Sequence, residues 1–382
     1  MISLKPSLLD GYLVLCAALA RGCDLLLLPR QVLLAAPIGE EVGLLSFVNG
    51  VPQSSTVAAV THAHDKRLRR VLLNRAGLPT PPGITFSSRG KKQLQQFVLR
   101  QGYPLVLKQA IGENPAVKVD NISNERELLV AISQMRLRTE EQLSPVRSLV
   151  ASAYAEDISS VADESGVHIA SPGTRLLLEK RVRGCYIRCL VLGNRLVAAV
   201  ELNGNGPSRC ADRTNSLHSG FKDLAVQAAS VIPGLTVAAI DFVVEDPSGD
   251  PCIQTHYIVE LCERPQLASF RQADPALGIQ LADALLVYEA DRSSIPLQNP
   301  VEHVAVRMRA ESLWEPDALL PRFRETCQGL GLSGAIELTD PLEGIVEARV
   351  QGKSDAVALI LEALSSGIHF GQRAMAIDIH HC

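Results

Sequence analysis

At 382 residues the chain is long enough for two or three domains of the usual ~100–200 residues. Apolar residues make up 47% and charged residues 20%, which allows a buried core and excludes a disordered chain. Aromatics are only 4%, and a net charge of −4 (37 basic against 41 acidic) is spread without long like-charge runs; a base-stacking platform and a basic nucleic-acid face are both disfavoured.

The first predicted elements are a helix over 8–20 and an apolar strand over 24–28. Lys5, YLVLCAALA and Ala18-Leu19-Ala20 imitate a secretory leader, but Asp10 interrupts the apolar run and DLLLLP follows at once, so a leader is not expected. Turn-rich VNGVPQSS closes the first sixty residues. A helix is expected over 65–76, with Asp65 in its first turn, Leu68, Val71, Leu72 and Leu73 as its apolar stripe, and Gly77 as its stop. Pro79, Pro81, Pro82 and Gly83 read as an extended linker. A helix near 90–101, the strand PLVLKQA (104–110) and a helix near 124–136 follow, then an irregular polar stretch over 137–174.

LLLEKRV (176–182), YIRCLVLG (186–193) and RLVAAVE (195–201) have the spacing of antiparallel strands joined by tight turns. A helix near 220–230 precedes two more strands, TVAAIDFVVED (236–246) and HYIVELC (256–262), and a helix near 276–290. From 301 the order is strand, helix, strand, strand, helix, strand, a ferredoxin-like βαββαβ unit. The expected class is therefore α+β or α/β. No apolar run reaches the ~20 residues of a membrane span. Nine cysteines without a CxxC argue for reduced thiols in the cytoplasm rather than a disulfide framework.

Several residues stand out chemically. Asp241 and Glu260 lie late in apolar strands that would pair, and an acid buried there needs a partner or a metal. Two converging carboxylates suit a hard cation such as Mg²⁺, although a solvated face is the alternative. Lys108 ends an apolar strand before a loop with Gly112, where it can meet a phosphate or be an ordinary edge lysine. Glu179 ends another strand, and Lys66 opens a helix. His62, His64, His380 and His381 read as solvated, and Cys185, Cys189 and Cys262 as small buried hydrophobes. Arg209, Arg213 and Asn215 lie in a polar loop.

Taken in order, HDKRLRRVLLNRAGLPTPPG, PLVLK, LLLEKRVRG and AAID…YIVEL resemble the ATP-grasp superfamily of carboxylate–amine ligases, over roughly 60–300. The nearest groups are D-alanine–D-alanine ligase, cyanophycin synthetase and glutathione synthetase. The resemblance implies two α+β subdomains sandwiching ATP, phosphoryl transfer to a small carboxylate such as an amino acid, and amide formation when an amine displaces phosphate from the acylphosphate. It implies ATP contacts at Lys66, Lys108, Glu179, Lys180, Val182 and Tyr186, magnesium ligands at Asp241 and Glu260, and a catalytic pair of Arg188 and Lys108. The family's ribose-binding acid falls on Tyr186, its third magnesium ligand on Cys262, and its glycine-rich phosphate loop on IGENPAVKV, which keeps one glycine. Other readings are a non-catalytic scaffold or interaction module, or a ligase that charges a carrier-protein thiol.

GLGLSGAIEL and EGIVEARVQGKSDAVALILEAL resemble acylphosphatase. Its phosphate-gripping loop falls on AESLWEPDALL, without arginine, and its asparagine on Leu338, which implies a retained fold and lost hydrolysis. The expected division is 1–60 as an N-terminal α/β segment, 61–300 as the ATP-grasp domain with a lid over 84–180, and 301–382 as the acylphosphatase-like domain. Family habit points to a homodimer, with no nucleic-acid or membrane partner.

Overall fold

A computed structural model of the chain describes residues 2–37, 43–87, 91–111, 118–142, 175–202 and 210–382. The first half comprises α1 (Leu9–Ala20), β1 (Cys23–Leu28), β2 (Val32–Pro37), β3 (Leu45–Val48), β4 (Val51–Pro52), α2 (Val57–His64), α3 (Lys66–Arg75), β5 (Gly83–Ser87), α4 (Lys91–Gln101), β6 (Leu105–Gln109), β7 (Lys118–Ile122) and α5 (Glu125–Gln142). Then come β8 (Arg175–Lys180), β9 (Cys185–Leu192), β10 (Arg195–Leu202), β11 (Cys210–Asp212), α6 (Ser219–Ser230), β12 (Val237–Val244), β13 (His256–Cys262), α7 (Leu267–Ala273) and α8 (Pro275–Ser293). The last elements are β14 (His303–Glu311), α9 (Pro316–Gly329), β15 (Ser333–Asp340), β16 (Ile345–Lys353), α10 (Ser354–Ser366) and β17 (Ala376–His381). The fold is mixed α/β with antiparallel sheets.

The chain forms two compact units, one holding the described residues through Ser54, Cys210 and Arg264–Cys382, the other those from Ser55 through Glu263 apart from Cys210. In the first, an eight-stranded sheet runs β15-β16-β14-β17-β1-β2-β3-β4, so N-terminal and C-terminal strands share one sheet through β1 and β17. The expected βαββαβ order over 303–381 is present, with sheet order β15-β16-β14-β17. The leader-like stretch is an interior helix: α1 is apolar on nearly every side, which fits only a buried position. Its one acid, Asp10, is buried and accepts hydrogen bonds from the Leu267 N–H (2.7 Å) and Arg264 (2.9 Å). No described helix is long and apolar enough to cross a membrane.

The second unit contains two sheets. The four-stranded sheet β5-β8-β6-β7 buries Phe86, Leu105, Leu107 and Leu178 with Leu94 and Phe97 of α4 and Leu128 and Ile132 of α5. The five-stranded sheet β11-β10-β9-β12-β13 buries Ile187, Cys189, Ile240 and Phe242 with Phe221, Ala225 and Ala228 of α6. Every residue of β12 is buried, matching a sequence that is apolar apart from Asp241.

Three expectations need correction. The proline linker passes directly into β5, because the strand pairs antiparallel with β8 from Gly83 onward. Residues 57–64 form α2, capped by the Thr56 hydroxyl, which accepts from the Ala59 N–H. The helix expected to end near 136 continues to Gln142; the rest of the polar stretch lies outside the described residues.

Gly184, between β8 and β9, has φ +151°, and a Cβ there would lie 2.3 Å from the Val244 carbonyl oxygen. Gly184→Ala is therefore expected to cost about 1–3 kcal/mol, read as a lower urea midpoint.

Candidate active site

The site is built in the second unit, where α3 meets both sheets. Asp65 caps α3 through the Arg67 N–H (2.9 Å), and the Lys66 N–H donates to the Ala110 carbonyl (2.9 Å), which pins the first turn to the end of β6. The predicted apolar stripe is only partly inward. Leu68 is 42% and Val71 50% exposed, while Lys66, Arg69 and Leu73 form the buried face. The helix turns its charges into the protein, and the tertiary partners explain why.

Arg69 is 4% exposed and donates to the carbonyls of Ala63 (3.2 Å) and Leu261 and to the Glu260 carboxylate. Consecutive helical residues diverge by about 100°. Arg70 accordingly reaches a different acid, Glu179, and the Pro81 carbonyl (2.8 Å). Lys108, on β6, joins the two arms: its Nζ lies 2.7 Å from Glu179, donates to the Val259 carbonyl at 3.1 Å, and stands 4.0 Å from Glu260. Burial alone would raise the Glu179 pKa, but Lys108 and Arg70 outweigh it and hold the carboxyl below its usual range.

A second set of charges crosses the five-stranded sheet. Arg188, Asp241 and Glu260 are register partners on β9, β12 and β13. Strand alternation puts them on the face opposite the Ile187, Cys189, Ile240 and Phe242 core. Arg188 grips Asp241 through two hydrogen bonds of 2.7 Å each, the paired geometry that guanidinium and carboxylate favour.

The predicted residues are thus distributed as follows. Lys66, Lys108, Glu179 and Glu260 line one narrow pocket with Arg69 and Arg70. Arg188 and Asp241 continue the row from Glu260. Lys180 points elsewhere: its ammonium donates to the Tyr103 carbonyl (2.8 Å) and its N–H to Pro82 (2.8 Å). Val182 is half-buried in the connection to β9, and Tyr186, also half-buried, has the Lys118 ammonium 5.8 Å from its ring centre. Most of the IGENPAVKV loop, 112–117, lies outside the described residues, as does Arg209; Arg213 pairs with Glu201 at 2.6 Å. His64 is not solvated as expected but buried against Glu263 at 3.1 Å. Arg69 and Arg70 escape the motif reading; the basic run KRLRR on a short helix was the available signal.

Among the described residues no group of three or more His, Cys, Asp or Glu is disposed to hold a metal by itself. The opposed carboxylates of Asp241 and Glu260 nonetheless suit a Mg²⁺ that draws its remaining ligands from phosphate and water. Cys262, buried two residues beyond Glu260, adds no hard donor.

No protein-family model matches the chain. Its sequence is 28% identical over 210 residues to ribosomal protein bS6–L-glutamate ligase of Salmonella paratyphi B, a match covering 51% of this chain and 56% of that protein. The chain thus spans little more than half the length of the curated relatives it matches. Among solved structures, D-alanine–D-alanine ligase from Bacillus anthracis aligns at 16% identity and a TM-score of 0.43, over 63% of this chain and 70% of that one. ATP-grasp ligase PsnB, complexed with precursor peptide PsnA2 and AMPPNP, aligns at 16% identity and a TM-score of 0.39, over 62% and 61%. The sequence match is thus to a protein named as a ligase.

Proposed function

We propose that the chain is an ATP-dependent carboxylate–amine ligase that forms an amide through an acylphosphate, with an amino acid or related small acid as one substrate. The observation that carries this reading is the position of Lys108, which leaves one sheet to meet Glu179 on that sheet and Val259 and Glu260 on the other. Buried cations converging where two sheets meet suit a polyphosphate. The sequence match to a glutamate ligase supports the amino-acid substrate.

In this reading Lys66 and Lys108 hold the phosphates, Glu179 takes the adenine amino group, and Lys180, Val182 and Tyr186 flank the nucleotide. Asp241 and Glu260 hold Mg²⁺. Bound ATP and Mg²⁺ supply a phosphoryl group that activates the carboxylate and the charge neutralisation its transfer needs. Arg188, already fixed by Asp241, presents its guanidinium to the transferring phosphate or the substrate carboxylate. The cytoplasm, a homodimer, the three-part division and an acylphosphatase-like 301–382 without hydrolytic activity belong to the same proposal.

A second reading, a non-catalytic nucleotide-binding scaffold, draws on Cys262, whose thiol is a poor magnesium ligand. Thermal denaturation tests the pair. Mg·ATP, unlike Mg·AMP, should raise the melting temperature, and Asp241→Ala should abolish that rise. An amino-acid panel scored for ADP release then separates ligase from scaffold. No shift at millimolar Mg·ATP would sink the ligase reading.

A further inference from the structure

Each carboxylate of the site already has a cationic partner of its own. Asp241 is gripped by Arg188, Glu260 by Arg69, and Glu179 by Lys108 and Arg70. Of the neighbouring acids, Glu263 meets the His64 imidazole at 3.1 Å and Asp65 is paired with Arg67. Arg69 differs from a surface partner in one respect. Two main-chain carbonyls, Ala63 at the end of α2 and Leu261 on β13, fix its guanidinium, and burial leaves it little freedom to swing away. It cannot follow Glu260 into solvent, and Glu260 cannot turn toward a cation without that guanidinium beside it.

We infer that Arg69 is a positioning residue that orients Glu260 and, by supplying a fixed positive charge, denies the carboxylate pair to a free divalent cation. A metal then enters only with the negative charge of a polyphosphate. The physical reason is Coulombic: a dication approaching Asp241 and Glu260 meets two guanidinium groups that already balance them, in a half-buried site that water screens less than an open surface. Phosphate oxygens restore the deficit of negative charge and complete the shell of a hard cation. This inference rests on the assignment of Asp241 and Glu260 as metal ligands, but its sign is its own: removing a cation should tighten metal binding, whereas a merely structural loss would weaken it.

The test is titration of the full chain with Mn²⁺ followed by electron paramagnetic resonance, without nucleotide and with the non-hydrolysable AMPPNP. For the unaltered protein no Mn²⁺ should bind below about a millimolar alone, and AMPPNP should bring the affinity into the micromolar range. Arg69→Gln should bind Mn²⁺ without nucleotide at least tenfold more tightly, and Arg69→Lys, which keeps the charge, should return toward the unaltered protein. Should Arg69→Gln fail to fold, Arg188→Gln at the other carboxylate is expected to show the same gain. Tight Mn²⁺ binding by the unaltered protein without nucleotide would overturn the inference and leave the ligase reading intact. So would an unchanged or weakened affinity in the folded glutamine variants. Absence of nucleotide-dependent Mn²⁺ binding together with no thermal response to Mg·ATP would overturn the ligand assignment itself.

Discussion

Lys108→Met is expected to destabilise the second unit by about 3 kcal/mol at neutral pH and to abolish its stabilisation by Mg·ATP. Methionine keeps the aliphatic stem packed on β6 but removes the charge that holds Glu179 at 2.7 Å. Loss of one partner of a buried pair costs about 3–5 kcal/mol, and the lower end applies because Arg70 still contacts Glu179. The pH dependence identifies the cause. In the unaltered protein the Glu179 pKa is depressed, so its contribution is complete above the unfolded carboxyl value and is lost as pH falls through the folded one. Without Lys108, burial pushes that pKa upward, and the variant no longer loses this contribution in acid. The gap in urea stability between the two proteins should therefore be widest near pH 7 and narrow toward pH 4. A gap constant across that range would remove the electrostatic explanation.

Phe221→Ala is expected to cost about 3–5 kcal/mol through the cavity it leaves. Phe221 is 0% exposed and meets Phe242 edge-on at 5.9 Å and His256 at 5.5 Å, on the face of the five-stranded sheet opposite Arg188 and Asp241. Phe221→Leu keeps most of the volume and should cost about 1.5 kcal/mol or less. Urea unfolding measures both. Nucleotide affinity of the folded leucine variant should change little, because the charged row hangs from the backbone of β9 and β12 rather than from the aromatic cluster; a tenfold loss would show that the core transmits strain to the site.

The contrast between these two residues shows how the sequence could be read. Phe221 sits in a helix whose apolar spacing announces a buried face, and β12 is apolar but for Asp241, so both were legible as core. Asp241 and Glu260 were legible for the converse reason: an acid late in an apolar strand is costly to bury alone. Their opposition across one register pair, with Arg188 beside them, is what the two strands then provide. Helix α3 was read with the wrong emphasis. Its leucines and Val71 suggested the inward stripe, but burial there is decided by ion-pair partners more than 100 residues away, on β8 and β13. Periodicity weighs hydrophobicity along the chain and contains no term for a distant carboxylate.

His64 illustrates the same limit, since nothing near it in sequence announces Glu263. The eight-stranded sheet does too: strands β1 and β17 were visible, but not that they pair. By itself, then, the sequence determined most of the longer elements, the mixed α/β class and the acids that required partners, because hydrophobic period and the cost of buried charge are local properties. The tertiary structure alone decided which cation meets which acid, because register and long-range packing set those distances. That is how a helix read as apolar came to hold Arg69 and Arg70 against Glu260 and Glu179.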